Sequence, residues 1–475
     1  MRSTLATLTT LALLSSPTLA QPERYELGRR LKLFEATWDQ QPDAAARAKA
    51  LALVEKVTPQ FFSFRFGEAG RTLDAARYAL AAEPPSVTAK WLEALYVSPA
   101  TRLVDSKTET LTVQVKAFYP VDGGPPDEAQ ATVWIGDGPR VEVPLGKLPA
   151  KLAVPFPPGG WQGDWLLKLE ATLAGKRVME QAVRVSTLHD LDRVFADFDT
   201  AMKWRKEQSG DQSPPLSIEA ATIAARYELF RELADGFTPE TDYPVAKLKA
   251  ELDRMALVGA FGGRYIGPQV PGDFWLSVPI EKSRPAPIRL FVPEDMDPKK
   301  PVPVVVALHG AGGTENLFFE GYGAGRIVTE CRERGWLLVA TRAGLNFGGG
   351  PPVVAVLDEL SRRFPIDRTK VFLVGHSMGA AQAVALAQAH PGAFAAVAAL
   401  GGGGRVANGQ AVEKLPLFVG VGSKDFALAG AKGLAKAATA AGAKVTEKVY
   451  PGVEHLVIVR EALPDAFAIF DTLSP

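Results

Sequence analysis

From Gln21 to about Pro85, apolar residues recur at spacings of three and four. Leu27, Leu31, Phe34 and Trp38 form one stripe, and Ala-rich stretches follow it. That period predicts helices, which Pro84-Pro85 closes. The period then falls to two. Leu111, Val113, Val115 and Ala117 alternate with Thr112, Gln114 and Lys116, and Leu167, Leu169, Ala171 and Leu173 alternate with Lys168, Glu170 and Thr172. Such alternation marks strands with one face in a core. Several strands with Gly/Pro-rich turns across about 90 residues predict a small β-sandwich of immunoglobulin-like type. Helical spacing returns from about Leu188. Ile223, Tyr227, Phe230 and Leu233 share one face, and SGDQSPP (209–215) is the loop before them.

After about Gly259 the rhythm alternates between strand and helix. Strands are expected at Phe274–Pro279, Ile288–Val292, Val302–Leu308, Trp336–Thr341, Val371–Val374, Phe394–Leu400, Leu415–Val421 and Val445–Val449. Several are short, continuous apolar runs, as parallel strands covered on both faces require. The expected architecture is α/β, an open and mostly parallel sheet wound with helices. The first two strands have no helix between them and are expected to pair antiparallel. The chain thus divides into a leader (1–20), a helical region (21–95), a β-sandwich-like domain (96–187), a second helical region (188–258) and an α/β domain (259–475).

At 475 residues the chain exceeds one ordinary core, consistent with that division. Lys+Arg and Asp+Glu cancel at 53 each, so no strong field favours nucleic acid. No internal stretch approaches the roughly 20 apolar residues of a membrane span. One cysteine, Cys331, excludes an intramolecular disulfide and reads as a buried small hydrophobe, and no Cys/His cluster has metal-ligand spacing. Arg2, the apolar run after it and the small residues Thr18-Leu19-Ala20 predict a secretory signal, hence a secreted or periplasmic protein.

The chemistry concentrates near residue 377. The expected strand Val371–Val374 runs into Gly375-His376-Ser377-Met378-Gly379, and an Ala-rich helix begins at once. This is a G-x-S-x-G elbow between strand and helix, which projects a serine hydroxyl from the top of a sheet. Ser377 is the candidate nucleophile. Of five histidines, His455 lies just after the last expected strand, where the base belongs in the chain order serine, acid, histidine. Asp425 is the only aspartate between Ser377 and His455 and follows a strand, so it is the candidate partner that fixes the imidazole tautomer. Glu413 lies at the wrong end of that strand, and Glu454 adjoins His455 too closely to orient it. The oxyanion donors are expected to be the backbone N–H groups of Met378 and of Ala311, in Leu308-His309-Gly310-Ala311-Gly312-Gly313. For His309 a structural hydrogen bond within that loop is expected. Asn346 and Phe347, in a glycine-rich connector, and the run Gly401–Gly404 border the same end of the sheet.

From about residue 270 to the end the chain resembles the serine-esterase branch of the α/β-hydrolase superfamily. It is most similar to the secreted feruloyl-esterase and polyhydroxybutyrate-depolymerase-like group, which overlaps with dienelactone-hydrolase-like and prolyl-oligopeptidase-like domains. The likeness rests on Val304–Gly313 (VVVALHGAGG), Ile366–Gly379 (IDRTKVFLVGHSMG), Gly422-Ser-Lys-Asp425 and His455. It implies an α/β-hydrolase catalytic domain over 259–475 that cleaves carboxylic esters, free or polymer-linked, without metal or organic cofactor. The sequence departs from the group at Ala380, where a third glycine is frequent, and at Val453-Glu454 before the base. Two other readings share these residues: a prolyl-oligopeptidase-like serine peptidase, or a scaffold whose hydrolase domain is inactive. No repeated blade pattern favours the peptidase. The N-terminal half is expected to contact a glycan or protein, with Trp134, Trp161 and Trp165 as aromatic candidates and core packing as their alternative role.

Overall fold

The computed structural model describes residues 22–209, 217–280, 284–342 and 352–474. The leader, residues 210–215 of the SGDQSPP segment, and Asn346 and Phe347 lie outside the described residues. The chain divides between Tyr265 and Ile266 into two units.

In the N-terminal unit the helix Pro22–Gln40 buries Leu27, Phe34 and Trp38, and with them Glu26 and Arg30. The Arg30 guanidinium lies between Glu26, 2.8 Å away, and Asp74 of the helix Phe66–Leu80. The period-two segments form strands β1 (Leu95–Pro99), β2 (Leu103–Asp105), β3 (Thr110–Ala117), β4 (Ala129–Ile135), β5 (Val141–Glu142), β6 (Ala150–Pro155), β7 (Gly163–Leu173) and β8 (Lys176–Leu188). They make two sheets, ordered β1-β3-β6 and β2-β8-β7-β4-β5. Leu111, Val113 and Val115 of the first sheet meet Val133, Leu167, Leu169 and Val183 of the second in one apolar cluster. The alternation is the cause: each inward residue loses water while its polar neighbour keeps it.

Two of the three tryptophans are tied into this framework. Trp134 is buried beneath the Arg140 guanidinium, 3.8 Å from its ring centre, and Trp165 donates its Nε1–H to Thr187 Oγ1 at 3.0 Å. Trp161 is 65% exposed. Helices Leu191–Ser209, Ile218–Ala234 and Val245–Ala260 complete the unit. Phe230 and Leu233 are buried as the stripe requires, and Tyr227 stacks on Phe198 at 4.1 Å.

The C-terminal unit contains β9 (Gly272–Val278), β10 (Ala286–Val292), β11 (Val302–Leu308), β12 (Leu337–Thr341), β13 (Ile366–His376), β14 (Ala396–Leu400), β15 (Pro416–Gly422) and β16 (Lys444–Tyr450). Their order is β16-β15-β14-β13-β11-β12-β10-β9. β10 pairs antiparallel with β9 and β12, and the other pairings are parallel. The apolar runs of β12 and β14 are buried at every residue, as strands covered on both faces must be. β13 is longer than its apolar run predicts. Ile366-Asp-Arg-Thr-Lys keeps the backbone extended beside Val302 of β11 across a register shift. This is the α/β-hydrolase fold, and β13 near its centre ends at the serine. Cys331 is buried in the helix Arg326–Arg334, and burial pushes its thiol pKa up, so it behaves as a small apolar group.

Candidate active site

Ser377 joins β13 to the helix Met378–Ala389 with φ 56° and ψ −115°. A non-glycine residue there carries strain of about 1–3 kcal/mol and persists only where its surroundings over-determine it. Here they do. The Ser377 N–H donates to the Leu400 carbonyl at 2.9 Å, and the Ser377 carbonyl accepts from Ala380 N–H at 3.1 Å. Both motif glycines are forced by close backbone approach. A Cβ on Gly375 would lie 2.2 Å from the Gly379 carbonyl oxygen, and one on Gly379 would lie 2.0 Å from that of Leu308. Ala380, where a glycine is frequent, is accommodated because its neighbour is Gly402. A Cβ at Gly402 would meet the Ala380 methyl at 2.7 Å and the Ser377 carbonyl at 2.4 Å. Within the Gly401–Gly404 run, Gly402 is therefore packed against the elbow, while Gly401 lies against Asp425 and His376.

His455 follows β16 and Asp425 follows β15, so both stand at carboxyl ends of parallel strands, as Ser377 does. His455 Nδ1 lies 2.9 Å from Asp425 Oδ1. A carboxylate only accepts, so Nδ1 carries the proton and the Nε2 lone pair is left to receive another. Asp425 Oδ1 also accepts from Ala427 N–H at 2.8 Å, while its buried Oδ2 has no partner among the described residues. Glu454 turns away from the imidazole. Its Oε1 accepts from the N–H groups of Leu456 and Val457, at 2.8 and 2.7 Å, ahead of the helix Ile458–Thr472. Burial raises its pKa to about 7. Phe426, 67% exposed, lays its ring against His455 with centroids 4.2 Å apart.

On the facing loop, His309 Nδ1 donates to the Gly310 carbonyl at 2.7 Å, and Gly313 N–H donates to the same oxygen at 3.2 Å. Burial lowers the His309 pKa, so this histidine is a neutral brace of the loop. No acceptor among the described residues meets the N–H of Ala311 or of Met378. The Ser377 hydroxyl likewise has no hydrogen-bond partner among them. The arrangement offers a half-buried hydroxyl, an imidazole with its tautomer set, and two unmet backbone donors.

Two residues near this centre carry no sequence signal. Tyr322 is buried in the turn between the helices Leu317–Glu320 and Arg326–Arg334, and its hydroxyl lies 2.7 Å from His376 Nδ1. Phe426 follows Asp425 in an otherwise polar turn. Only proximity in the fold reveals either one. Among the described residues no group of three or more acidic, cysteine or histidine side chains could hold a metal ion.

A model of the dienelactone hydrolase family matches residues 353–464, a stretch that contains Ser377, Asp425 and His455. No curated protein matches the chain significantly. Among solved structures, a thermostable esterase is 15% identical over 79% of this chain and 98% of its own, with a TM-score of 0.38. A mutant feruloyl esterase module from Clostridium thermocellum, complexed with sinapinate, is 17% identical over 42% of this chain and 85% of its own, with a TM-score of 0.33. A fluorophosphonate-binding serine hydrolase of Staphylococcus aureus is 15% identical over 42% and 97%, with a TM-score of 0.36.

Proposed function

The C-terminal unit is a hydrolase domain of the α/β-hydrolase fold, and from that premise we propose that the protein cleaves carboxylic esters through an acyl-enzyme intermediate. Ser377 Oγ attacks the ester carbonyl carbon while His455 Nε2 takes its proton. The oxygen of the tetrahedral intermediate accepts from the N–H groups of Ala311 and Met378. Collapse breaks the bond to the alcohol, whose oxygen receives the proton from His455. Water, deprotonated by the same nitrogen, then attacks the acyl carbon and frees the acid and Ser377. Asp425 stays ionised throughout, holding Nδ1–H and offsetting the imidazolium charge.

One observation carries this reading: a strained Ser377 at a strand-to-helix turn, on the same sheet end as a buried His455–Asp425 pair 2.9 Å apart. The test is labelling by a fluorophosphonate probe and turnover of p-nitrophenyl acetate, butyrate and octanoate, beside Ser377→Ala. Labelling and turnover that vanish in the variant, with short acyl chains preferred, support it. A wild type that neither labels nor turns over refutes it.

Two further parts of the proposal rest on the N-terminal half. The leader directs the chain out of the cytoplasm, secreted or periplasmic. N-terminal sequencing of the exported protein then reads from Gln21, and a mature protein retaining Arg2 contradicts it. Contact with a glycan or protein partner we assign to the sandwich face around Trp161, since Trp134 and Trp165 are held within the framework. Trp161→Ala then abolishes retention on insoluble polysaccharide, and unchanged retention removes the assignment.

A further inference from the structure

The elbow histidine, His376, stands beside the serine and within 4.6 Å of the His455 ring, yet proton transfer as described has no use for it. Its hydrogen bonds explain why it is there. His376 Nε2 lies 2.9 Å from the backbone carbonyl of His455. A carbonyl only accepts, so Nε2 carries the proton and Nδ1 of the neutral ring is a bare lone pair. Nδ1 is 2.7 Å from the Tyr322 hydroxyl, which must therefore donate to it. The lone pairs of that hydroxyl in turn accept the N–H of Gly310 at 3.2 Å. Every donor meets an acceptor in one direction: Gly310 N–H to Tyr322, Tyr322 O–H to His376, His376 N–H to the carbonyl of His455.

This chain joins the three loops that make up the proposed site. Gly310 precedes Ala311, the donor on the oxyanion side. His376 precedes Ser377. The last acceptor is the backbone of the base itself. We infer that Tyr322 and His376 are positioning residues, which hold the oxyanion loop, the nucleophile and the base in mutual register without taking part in proton transfer. The inference rests on the serine-hydrolase reading above.

The surrounding structure fits that role. Tyr322 is directed inward by a turn whose next three residues, Gly323, Ala324 and Gly325, all have positive φ, at 56°, 51° and 83°. A Cβ at Gly325 would stand 2.4 Å from the Phe319 carbonyl oxygen, so the turn can close only with glycine there. The Tyr322 ring is clamped edge-on by Phe318 at 4.9 Å and by His376 at 4.7 Å. Burial, with His455 nearby, holds the His376 pKa well below the usual histidine range. A neutral neighbour suits a base that becomes an imidazolium in the transition state, since a second cation at that distance would oppose it.

The test is Tyr322→Phe, which keeps the clamped ring and deletes one oxygen. Rates are normalised to the sites titrated by the fluorophosphonate, so that lost protein is not counted as lost chemistry. The expected result is a kcat per titrated site lower by about 10- to 100-fold with KM within about twofold, the pattern of misplaced transition-state groups. A kcat per site within about twofold of wild type, with only a lower melting temperature, overturns the inference. If Tyr322→Phe does not fold, His376→Gln and His376→Leu decide. Gln retains a donor toward the His455 carbonyl, so it should keep a kcat several-fold above Leu with the pH profile of wild type. Equal rates in the two variants overturn the positioning role. Loss in His376→Gln as complete as in Ser377→Ala also overturns it, by making His376 a catalytic base. A wild type that fails to label removes the site itself and this inference with it. Labelling with an insensitive Tyr322→Phe removes the inference alone.

Discussion

Buried carboxylates are met in two ways, and Asp74 of the N-terminal unit and Asp425 of the C-terminal unit stand for them; Glu315 and Glu330 of the C-terminal unit pair with arginines as Asp74 does. In the N-terminal unit Asp74 is met by the Arg30 guanidinium and by the Tyr119 hydroxyl at 2.6 Å, and Glu251 is met by Arg226 at 3.0 Å. In the C-terminal unit Asp425 is met by the His455 imidazole and one amide, and by no arginine or lysine among the described residues. A carboxylate neutralised by a guanidinium has no charge left to lend. One opposite only a neutral imidazole keeps its charge for the moment at which that ring becomes a cation. The first arrangement serves the fold, and in the proposed mechanism the second holds a charge in reserve for a transition state.

Asp425→Asn breaks the contrast most severely. It preserves shape, favours the wrong tautomer of His455, and should lower kcat by about 10³–10⁴-fold in ester hydrolysis assays while leaving folding nearly intact. Arg30→Met is the counterpart in the other unit. Removing the guanidinium that Asp74 and Glu26 share leaves Glu26 with Arg29 and Asp74 with Tyr119, and should cost up to about 3 kcal/mol in urea unfolding followed by tryptophan fluorescence, while kcat per titrated site stays at the wild-type value.

Glu454 sharpens the comparison, being buried with amide partners alone. Its pKa is raised from 4.5 to about 7, so between those values the folded protein holds a proton the unfolded chain has released. The stability tied to that proton is full below the unfolded value and is lost as pH rises through about 7. At 1.36 kcal/mol per pKa unit the contribution is about 3 kcal/mol. Glu454→Gln keeps the acceptor for Leu456 and Val457 and cannot ionise. It should melt higher than wild type at pH 8 and close to it at pH 4, and an equal difference at both pH values would disprove the linkage.

The smallest effect is expected at Phe426. Its exposed ring covers one face of His455, which in the proposed mechanism hands a proton to the departing alcohol. Phe426→Ala should therefore lower kcat/KM several-fold more for phenyl than for methyl esters, about 1 kcal/mol of selectivity.

Much of the proposed site is legible in the sequence because this fold orders its chemistry along the chain. A serine between strand and helix, one aspartate after a later strand and one histidine after the last leave few alternatives among five histidines. β11 is found at its expected bounds because a continuous apolar run has no other place to go. β13 is underestimated, since Asp367, Arg368 and Lys370 interrupt the hydrophobic signal while the backbone continues to pair. In the sandwich, β2 is invisible. Three residues have no period, and its parallel pairing with β8 joins segments far apart in the chain. Tyr322 is hidden for the same reason: its inferred role arises from partners 12 and 54 positions away, and nothing in GYGAG announces them.

The edge position of β16 has a consequence in time. β16 pairs on one side only, with β15, and the histidine lies in the loop immediately beyond it. A chain emerging from its amino end acquires the serine well before the strand that delivers the base. In the proposed mechanism, acylation of Ser377 therefore waits on the pairing of this edge strand with β15, which carries His455 to the sheet end where the serine stands.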